Sequence, residues 1–267
     1  MNTKMSSRKC LLISKFYPFK FLSLLILSCF FSCSSDDSPQ NDFLPANFKG
    51  TKGYLKSMKW TGVNKGQEIP NSNTYYNYEG NKLLEKRIYS PNNQEIYYNY
   101  VYNYEAEKIM KRTISNSNNF LSVTNYNYDS QNRLIEQIFD NTKYQYIYEN
   151  NDILWKTFKL DANNVFQPYS ESFITIDAHN QILNFRETTN NTITTFWGYD
   201  DKVSPMRGIV GFNKILDNTI EEIAYNNFTN ENNTSTIQYE YNSENKPTKA
   251  ICTKDNAVYL IVNYAYY

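Results

Sequence analysis

The chain has 267 residues, 27 of them basic and 27 acidic, with 25 Tyr, 16 Phe and only 8 Gly. Its length suffices for one sizeable core, and the five basic residues of its first 32 leave a net charge near −5 on the rest, which argues against a basic face that would neutralise phosphates and so against nucleic acid as a partner. One histidine excludes a His-based metal triad or an HExxH helix.

Taken in chain order, Lys4, Arg8, Lys9, Lys15 and Lys20 precede an uncharged apolar run from Phe21 to Phe31. A spanning helix needs about 20 apolar residues, whereas a basic head before an apolar run of about 7 to 15 predicts a secretory signal peptide. Ser32-Cys33-Ser34-Ser35-Asp36-Asp37 follows, and here the chain resembles bacterial lipoprotein precursors, which are cut just before a Cys that is then lipidated. With its trailing Ser and two Asp, Cys33 is similar to the export-type lipoprotein start of the Bacteroidetes group. The resemblance implies lipidation at Cys33 and an outer-membrane, lipid-anchored protein facing the cell exterior. Ile26-Leu27-Ser28-Cys29 is a second candidate cleavage site, and an ordinary signal peptide with two bystander cysteines is the alternative to both.

Removal of residues 1–32 takes away five basic residues and no acid, which leaves 22 basic against 27 acidic residues and a net charge near −5. Cys10 and Cys29 leave with that segment and Cys33 carries the lipid, so Cys252 stands alone and no disulfide framework is available. Residues 34–49 are polar and contain Pro, as a flexible spacer would be. The organisation expected is a signal peptide at 1–32, a lipidated Cys and tether at 33–50, and one β-repeat domain at 51–267.

A short phrase then recurs as Tyr76-Asn77-Tyr78-Glu79, Tyr102-Asn103-Tyr104-Glu105, Tyr126-Asn127-Tyr128-Asp129 and Tyr146-Ile147-Tyr148-Glu149, with weaker copies at Ile174-Thr175-Ile176-Asp177 and Tyr239-Glu240-Tyr241-Asn242. Self-similarity of this kind marks a repeat architecture. Each copy reads as a hairpin: two residues on one strand face, an Asn-rich turn, and a return strand opened by an apolar pair. In the return strands, Leu84/Ile88, Met110/Ile114, Ile135/Phe139 and Leu154/Phe158 share a parity and are expected on one common side. Lys86, Arg112 and Lys156 are expected to lay their aliphatic stems over neighbouring rings. Val258 to Tyr267 alternates strongly and predicts a final strand.

The phrase resembles the YD repeat of RHS-type bacterial proteins, most closely at Tyr126-Asn127-Tyr128-Asp129-Ser130-Gln131-Asn132-Arg133-Leu134. The likeness extends over most of residues 70–185 and returns at 239–249. It is nearest to short Bacteroidetes lipoproteins with degenerate YD-like repeats, because neither the long tract that builds an RHS shell nor a toxin domain is present. Roughly a dozen strands follow, more than a twisted open sheet accommodates without curling. The expected fold is therefore all-β: an antiparallel meander of YD-like hairpins, rolled up or two-layered, after a signal peptide and short tether.

Between Phe196 and Leu216 the repeat breaks, and Gly and Pro concentrate around Trp197, Tyr199 and Arg207. This segment is either a recognition loop in which those three residues meet a ligand, or a cap over one end of the sheet. His179 sits in the turn Asp177-Ala178-His179-Asn180 and reads as a solvated turn residue. Asp200-Asp201 and Glu221-Glu222 are adjacent pairs that point to opposite strand faces, so neither forms a glycosidase pair by itself, and no calcium loop is visible around Asp200. No catalytic, metal or cofactor site is expected. The expected function is a surface-anchored module, attached to the membrane by its lipid, that binds glycan or protein or serves a structural role. The alternative is a carbohydrate-active enzyme with carboxylates from separate hairpins.

Overall fold

The computed structural model describes residues 43–149, 152–188, 191–216, 225–232 and 234–267. The signal segment, Cys29, Cys33, the tether residues 34–42 and the pair Glu221-Glu222 lie outside the described residues.

Alternation of Tyr, Ile, Val and Thr between Asn-rich turns favours strands over any helical period. The first half of the barrel comprises β1 Leu55–Asn64, β2 Gln67–Glu79, β3 Lys82–Tyr89, β4 Ile96–Glu105, β5 Lys108–Ser115, β6 Leu121–Tyr128, β7 Leu134–Phe139 and β8 Thr142–Glu149. The second half comprises β9 Asp152–Leu160, β10 Phe166–Ile176, β11 Ile182–Glu187, β12 Ile193–Tyr199, β13 Phe228–Glu231, β14 Ser235–Tyr241, β15 Pro247–Lys254 and β16 Ala257–Tyr266. Every strand pairs with its sequence neighbours, and β16 returns to β1, so these sixteen described strands form one closed antiparallel barrel. The seam is regular, with Met58 opposite Tyr264 and Trp60 opposite Val262. The predicted rolled meander thus closes completely, and the predicted last strand is the one that closes it.

The turns divide their labour between two residues. Asp129, Asp161, Asp177 and Asn242 each accept, through one side-chain oxygen, the backbone N–H groups two and four residues on. Three residues after each, Asn132, Asn164, Asn180 and Asn245 take positive φ of 58 to 63°. Asn tolerates that left-handed conformation and the acid replaces missing backbone partners, which accounts for the acid and the Asn of the repeated phrase. Desolvation pushes the Asp129 carboxyl up, but the amide and guanidinium of Arg133 and the amide of Gln131 outweigh it and hold the group below its usual range.

A β-bulge recurs at one end of the hairpins. Asn77 faces Glu85 while Tyr78 faces Leu83, so Leu84 is an extra residue in β3; Met110 and Ile135 are extra in the same way. The bulge moves deep burial from the expected member of the first three apolar pairs to the one before it, and in the unbulged β9 strand parity alone puts Ile153 inside. Leu83, Ile109, Leu134 and Ile153 are buried in the core, whereas Leu84, Met110, Ile135 and Leu154 are only half-buried. The β8–β9 register has no bulge, so Leu154 and Phe158 point outward while Ile88 and Ile114 point inward. The expectation of one common side is corrected accordingly: a single inserted residue flips the parity.

Tyrosine hydroxyls clasp the preceding hairpin at its bulge, from the second tyrosine in the phrases at 102, 126 and 146, whereas the Tyr78 hydroxyl has no hydrogen-bond partner and Tyr241 bonds Asp200. Tyr104, Tyr128 and Tyr148 donate their hydroxyls to the carbonyls of Leu83, Ile109 and Leu134 at 3.0, 2.8 and 3.0 Å. Tyr199 reaches Ile182, Tyr239 reaches Phe228 and Tyr266 reaches Pro247 at 2.8 to 2.9 Å. A bulge takes a residue out of the ladder, and buried backbone groups there need another partner. At four of these six carbonyls the residue just before is basic and covers the same ring: Lys82 lies over Tyr104, Lys108 over Tyr128, Arg133 over Tyr148 and Lys246 over Tyr266, at 4.4 to 5.7 Å. Of the three stems expected to cover rings, Lys86 lies 4.2 Å from the Tyr100 ring, while Lys156 faces Glu171 on the outer wall.

Burial raises the hydroxyl pKa of Tyr78, Tyr104, Tyr128, Tyr264 and Tyr266 well above the ordinary range and pushes Tyr148 up to about 12. Unfolded tyrosines ionise near pH ~10, so this stability is fully present below that pH and is lost as pH rises through the folded values. Cooperative alkaline unfolding is expected above pH ~10, with tyrosinate absorbance and loss of strand circular dichroism changing together. Ordinary tyrosine titration with the fold intact would contradict it.

Residues assigned to the tether pack on the barrel. Phe48 lies with Tyr75 and Tyr89 in a small outer cluster joined by Leu44 and Ile96, and the Phe43 ring is 5.2 Å from Tyr75 and 5.5 Å from Tyr89. Tyr78 donates its N–H to the Lys49 carbonyl, and Gly50 sits so close to the Tyr267 ring that a Cβ would be 2.0 Å away. The compact unit therefore runs over Phe43–Tyr267 and takes in residues 43–50.

Candidate functional site

Register separates an inner from an outer wall. Outward positions carry Lys59, Glu85, Arg87, Lys111, Glu136, Lys156, Glu171, Glu240 and Lys249, with ion pairs Lys156 to Glu171 at 3.8 Å and Lys249 to Glu240 at 3.4 Å directly across neighbouring strands. Inward positions carry Tyr76, Tyr102, Tyr126, Tyr146, Ile174, Ile237, Val262 and Tyr264, all buried. Barrels that cross a bilayer show the reverse, an apolar outer band about 25 Å tall and a polar interior. This outer wall instead carries cross-strand charge pairs.

An eight-stranded barrel is just filled by its own side chains, whereas sixteen strands enclose space that wall residues alone do not fill. The segment Asp200 to Leu216 fills one end. Met206, Ile209, Phe212 and Ile215 enter the core, and the Phe212 ring stands 5.4 Å from Tyr102. Its outer edge is tied around the rim: Val210 N–H donates to Asn81, the Lys214 ammonium to Glu107, the Asn180 amide to Asn213, Val203 N–H to Asn245, and the Tyr54 hydroxyl to Gly208, at 2.9 to 3.2 Å. The break in the repeat is a plug.

Further along the barrel the inner wall opens. Gln137, Tyr144, Thr157 and Ser170 form one inward row across β7 to β10, and Tyr146, Trp155, Ser172 and Glu187 form the next across β8 to β11. Except for Tyr146, these side chains keep partial or full exposure, although they face the barrel interior. Aromatic rings form a continuous belt here: Trp155 lies 5.4 Å from Tyr144, stacks on Tyr146 at 6.3 Å, and is 4.9 Å from Phe185, which is 5.0 Å from Trp197. The Trp155 indole N–H has no hydrogen-bond partner in the structure. A partly exposed aromatic wall flanked by amide and hydroxyl groups suits a ligand with flat apolar faces and polar edges.

The three loop residues singled out from the sequence do not share one surface. Trp197, 8% exposed, ends the inner belt against Phe185. Tyr199 is occupied by its bond to Ile182. Arg207 is on the outer side of the plug, with its guanidinium 4.1 Å from the Tyr225 ring, while His179 stacks on the same ring at 3.4 Å. Asp200 accepts from Lys202 and Asn227 and from the Tyr241 hydroxyl, and Asp201 pairs with Lys202 at 3.0 Å, so both are engaged in holding the plug's base. Among the described residues, no group of three His, Cys, Asp or Glu side chains could hold a metal. Tyr144, Trp155 and Phe185, the body of the belt, escaped the sequence reading because the same aromatic alternation also builds sealed core.

No protein-family model and no curated protein matches the chain. Among solved structures, it is similar to a porin-like protein from Bacteroides uniformis ATCC 8492, at 10% identity over 82% of this chain and all of that one, with a TM-score of 0.37. A porin-like protein from Bacteroides vulgatus ATCC 8482 matches at 10% identity over 80% of this chain and 99% of that one, with a TM-score of 0.33.

Proposed function

We propose that this chain is a lipid-anchored surface protein, not an enzyme, that holds a saccharide against the aromatic belt on the inner wall of its barrel. The observation that carries the reading is the belt itself: the Tyr144, Trp155 and Phe185 rings packed side by side on the inner wall, each partly exposed. Sugar rings stack their C–H faces on such aromatics while Gln137, Thr157, Ser170 and Ser172 offer donors and acceptors for the hydroxyls. Lipidation at Cys33 would place the barrel on the outer membrane, and an outer wall with cross-strand charge pairs suits a body held outside the bilayer. The role does not require a metal or cofactor.

Titration with a panel of neutral oligosaccharides, followed by tryptophan fluorescence and calorimetry, tests the reading. A member of the panel is expected to bind, and Trp155→Ala is expected to weaken it by about tenfold or more, as loss of one stacking aromatic does in a buried contact. Binding unchanged by Trp155→Ala, or no binding across the panel, would remove the belt as a saccharide site.

A further inference from the structure

Charge is distributed unevenly around the inner wall. On β7 to β13, the part of the wall that carries the belt, the inward charged side chains among the described residues are Lys159, Glu187 and Glu231. The Lys159 ammonium donates to the Thr142 hydroxyl. Glu187 stands opposite Ser172 in the row of Trp155, two positions beyond Phe185 on the same face of β11. Its neighbour Arg186 points the other way, paired with Asp152 and lying over the Phe173 ring. Glu187 is half-buried, and among the described residues no basic side chain pairs with its carboxylate. Glu231 stands opposite Trp197, and its charge adds to the burial that pushes the Tyr259 hydroxyl up to about 12. The inward cations Lys86 and Arg112 are on β3 and β5, eight strands round the closed barrel from β11 and β13.

The rings of the belt also lack the cover that the chain places on its other tyrosines. Tyr100, Tyr104, Tyr128 and Tyr148 each lie under a Lys or Arg of the chain itself. Among the described residues, no basic side chain lies over Tyr144, Trp155 or Phe185. The face of an aromatic ring is the negative side of its quadrupole and attracts a cation within about 6 Å of its centre. A half-buried carboxylate attracts a cation more strongly than it does in bulk water, and repels an anion by the same measure. Rings and carboxylate therefore favour the same sign of charge in whatever stacks here.

We propose that the belt selects a saccharide bearing a free ammonium group, an amino sugar, over neutral and anionic ones, and that Glu187 sets this specificity by accepting the ammonium's hydrogen bonds. The inference rests on the saccharide reading of the belt and names its ligand class. Phe185 and Glu187 lie two residues apart on one strand face, roughly 7 Å along β11, so a sugar stacked on Trp155 and Phe185 brings a ring substituent within reach of the carboxylate. A charged amine at that substituent makes a charge-assisted bond, whereas an N-acetyl group brings no charge. A uronic acid sets one carboxylate against another.

Calorimetry in weakly acidic buffer, where sugar amines are charged, compares a glucosamine tetramer with the N-acetylglucosamine and galacturonate tetramers. The glucosamine tetramer is expected to bind about tenfold more tightly than its acetylated counterpart, and Glu187→Gln should remove that preference while both still depend on Trp155. Glu171→Gln takes the same charge from the outer wall and should leave the preference intact, which separates Glu187 from the net charge of the protein. Equal affinity for the two glucosamine-based tetramers, tighter binding of the galacturonate, a preference that survives Glu187→Gln, or an equal loss from Glu171→Gln overturns the selection by Glu187. With any of these, binding that Trp155→Ala still weakens leaves the saccharide reading standing. No binding of any of the three tetramers, or binding indifferent to Trp155→Ala, overturns both.

Discussion

Replacing Tyr104, Tyr128 and Tyr148 together by Phe should lower the stability of the barrel by about 3 to 6 kcal/mol, because each change leaves a carbonyl without its donor and costs about 1 to 2 kcal/mol. These hydroxyls reach Leu83, Ile109 and Leu134 at 2.8 to 3.0 Å, and the rings themselves remain, so packing is nearly preserved. For a domain of this size the loss corresponds to a fall in Tm of about 6 to 24 °C. Thermal unfolding by circular dichroism checks it, with Tyr97→Phe at the exposed rim as a control expected to leave Tm unchanged. A triple variant as stable as the parent would mean that the clasp is an accident of geometry. The contribution sits between successive repeats, which makes it a property of the tandem and not of any single hairpin.

The second large effect is expected at the plug. Gly211 has φ of 85°, and a Cβ there would come within 2.8 Å of the Ile109 Cγ1 and 3.1 Å of its backbone nitrogen. Gly211→Val thus combines a left-handed backbone penalty of about 1 to 2 kcal/mol with overpacking of about 1 to 3 kcal/mol. Gly66 also has positive φ, 78°, but nothing lies within 4 Å of its Cβ position, so Gly66→Val reports the backbone part alone. Limited proteolysis should cut Gly211→Val at Arg207 or Lys214, while Gly66→Val stays resistant there. Because the plug is tied to the rim by a few hydrogen bonds and four apolar side chains, it should open locally before the barrel unfolds. Equal resistance of the two variants would contradict the plug's dependence on this close approach.

How far the sequence revealed this molecule depends on which residues are asked. Strand identity was legible from the alternation of Tyr, Ile and Thr, and the turns from their Asx and Asn positions, because both are local requirements of backbone geometry. Closure was not, since Met58 finds Tyr264 across two hundred residues and no local pattern encodes that meeting. Nor were the bulges at Leu84, Met110 and Ile135, where an apolar pair looks the same with or without an extra residue. That omission mis-assigned which member of each pair is sealed inside, and it hid the reason for the basic residue before Leu83, Ile109 and Leu134. The Gly- and Pro-rich break was legible as a long ordered segment with two roles left open, and the structure makes it the plug. Trp197 was noticed for its place in that break but belongs with Phe185 in the belt. Trp155 was read as one more strand residue, since inward and accessible cannot be told from inward and sealed without knowing which end is plugged.

The account centres on one barrel plugged at one end, with the partly exposed belt on the inner wall of β7 to β11 beyond the plug. Ser172 and Ile174 point inward at successive positions of β10, yet Ser172 keeps partial exposure and Ile174 is buried. Labelling single-cysteine variants Ser172→Cys and Ile174→Cys of the native protein with a membrane-impermeant maleimide tests this most directly. Rapid modification at 172 with protection at 174 until denaturant is added is the predicted result; protection at both positions, or equal modification of both, would contradict it.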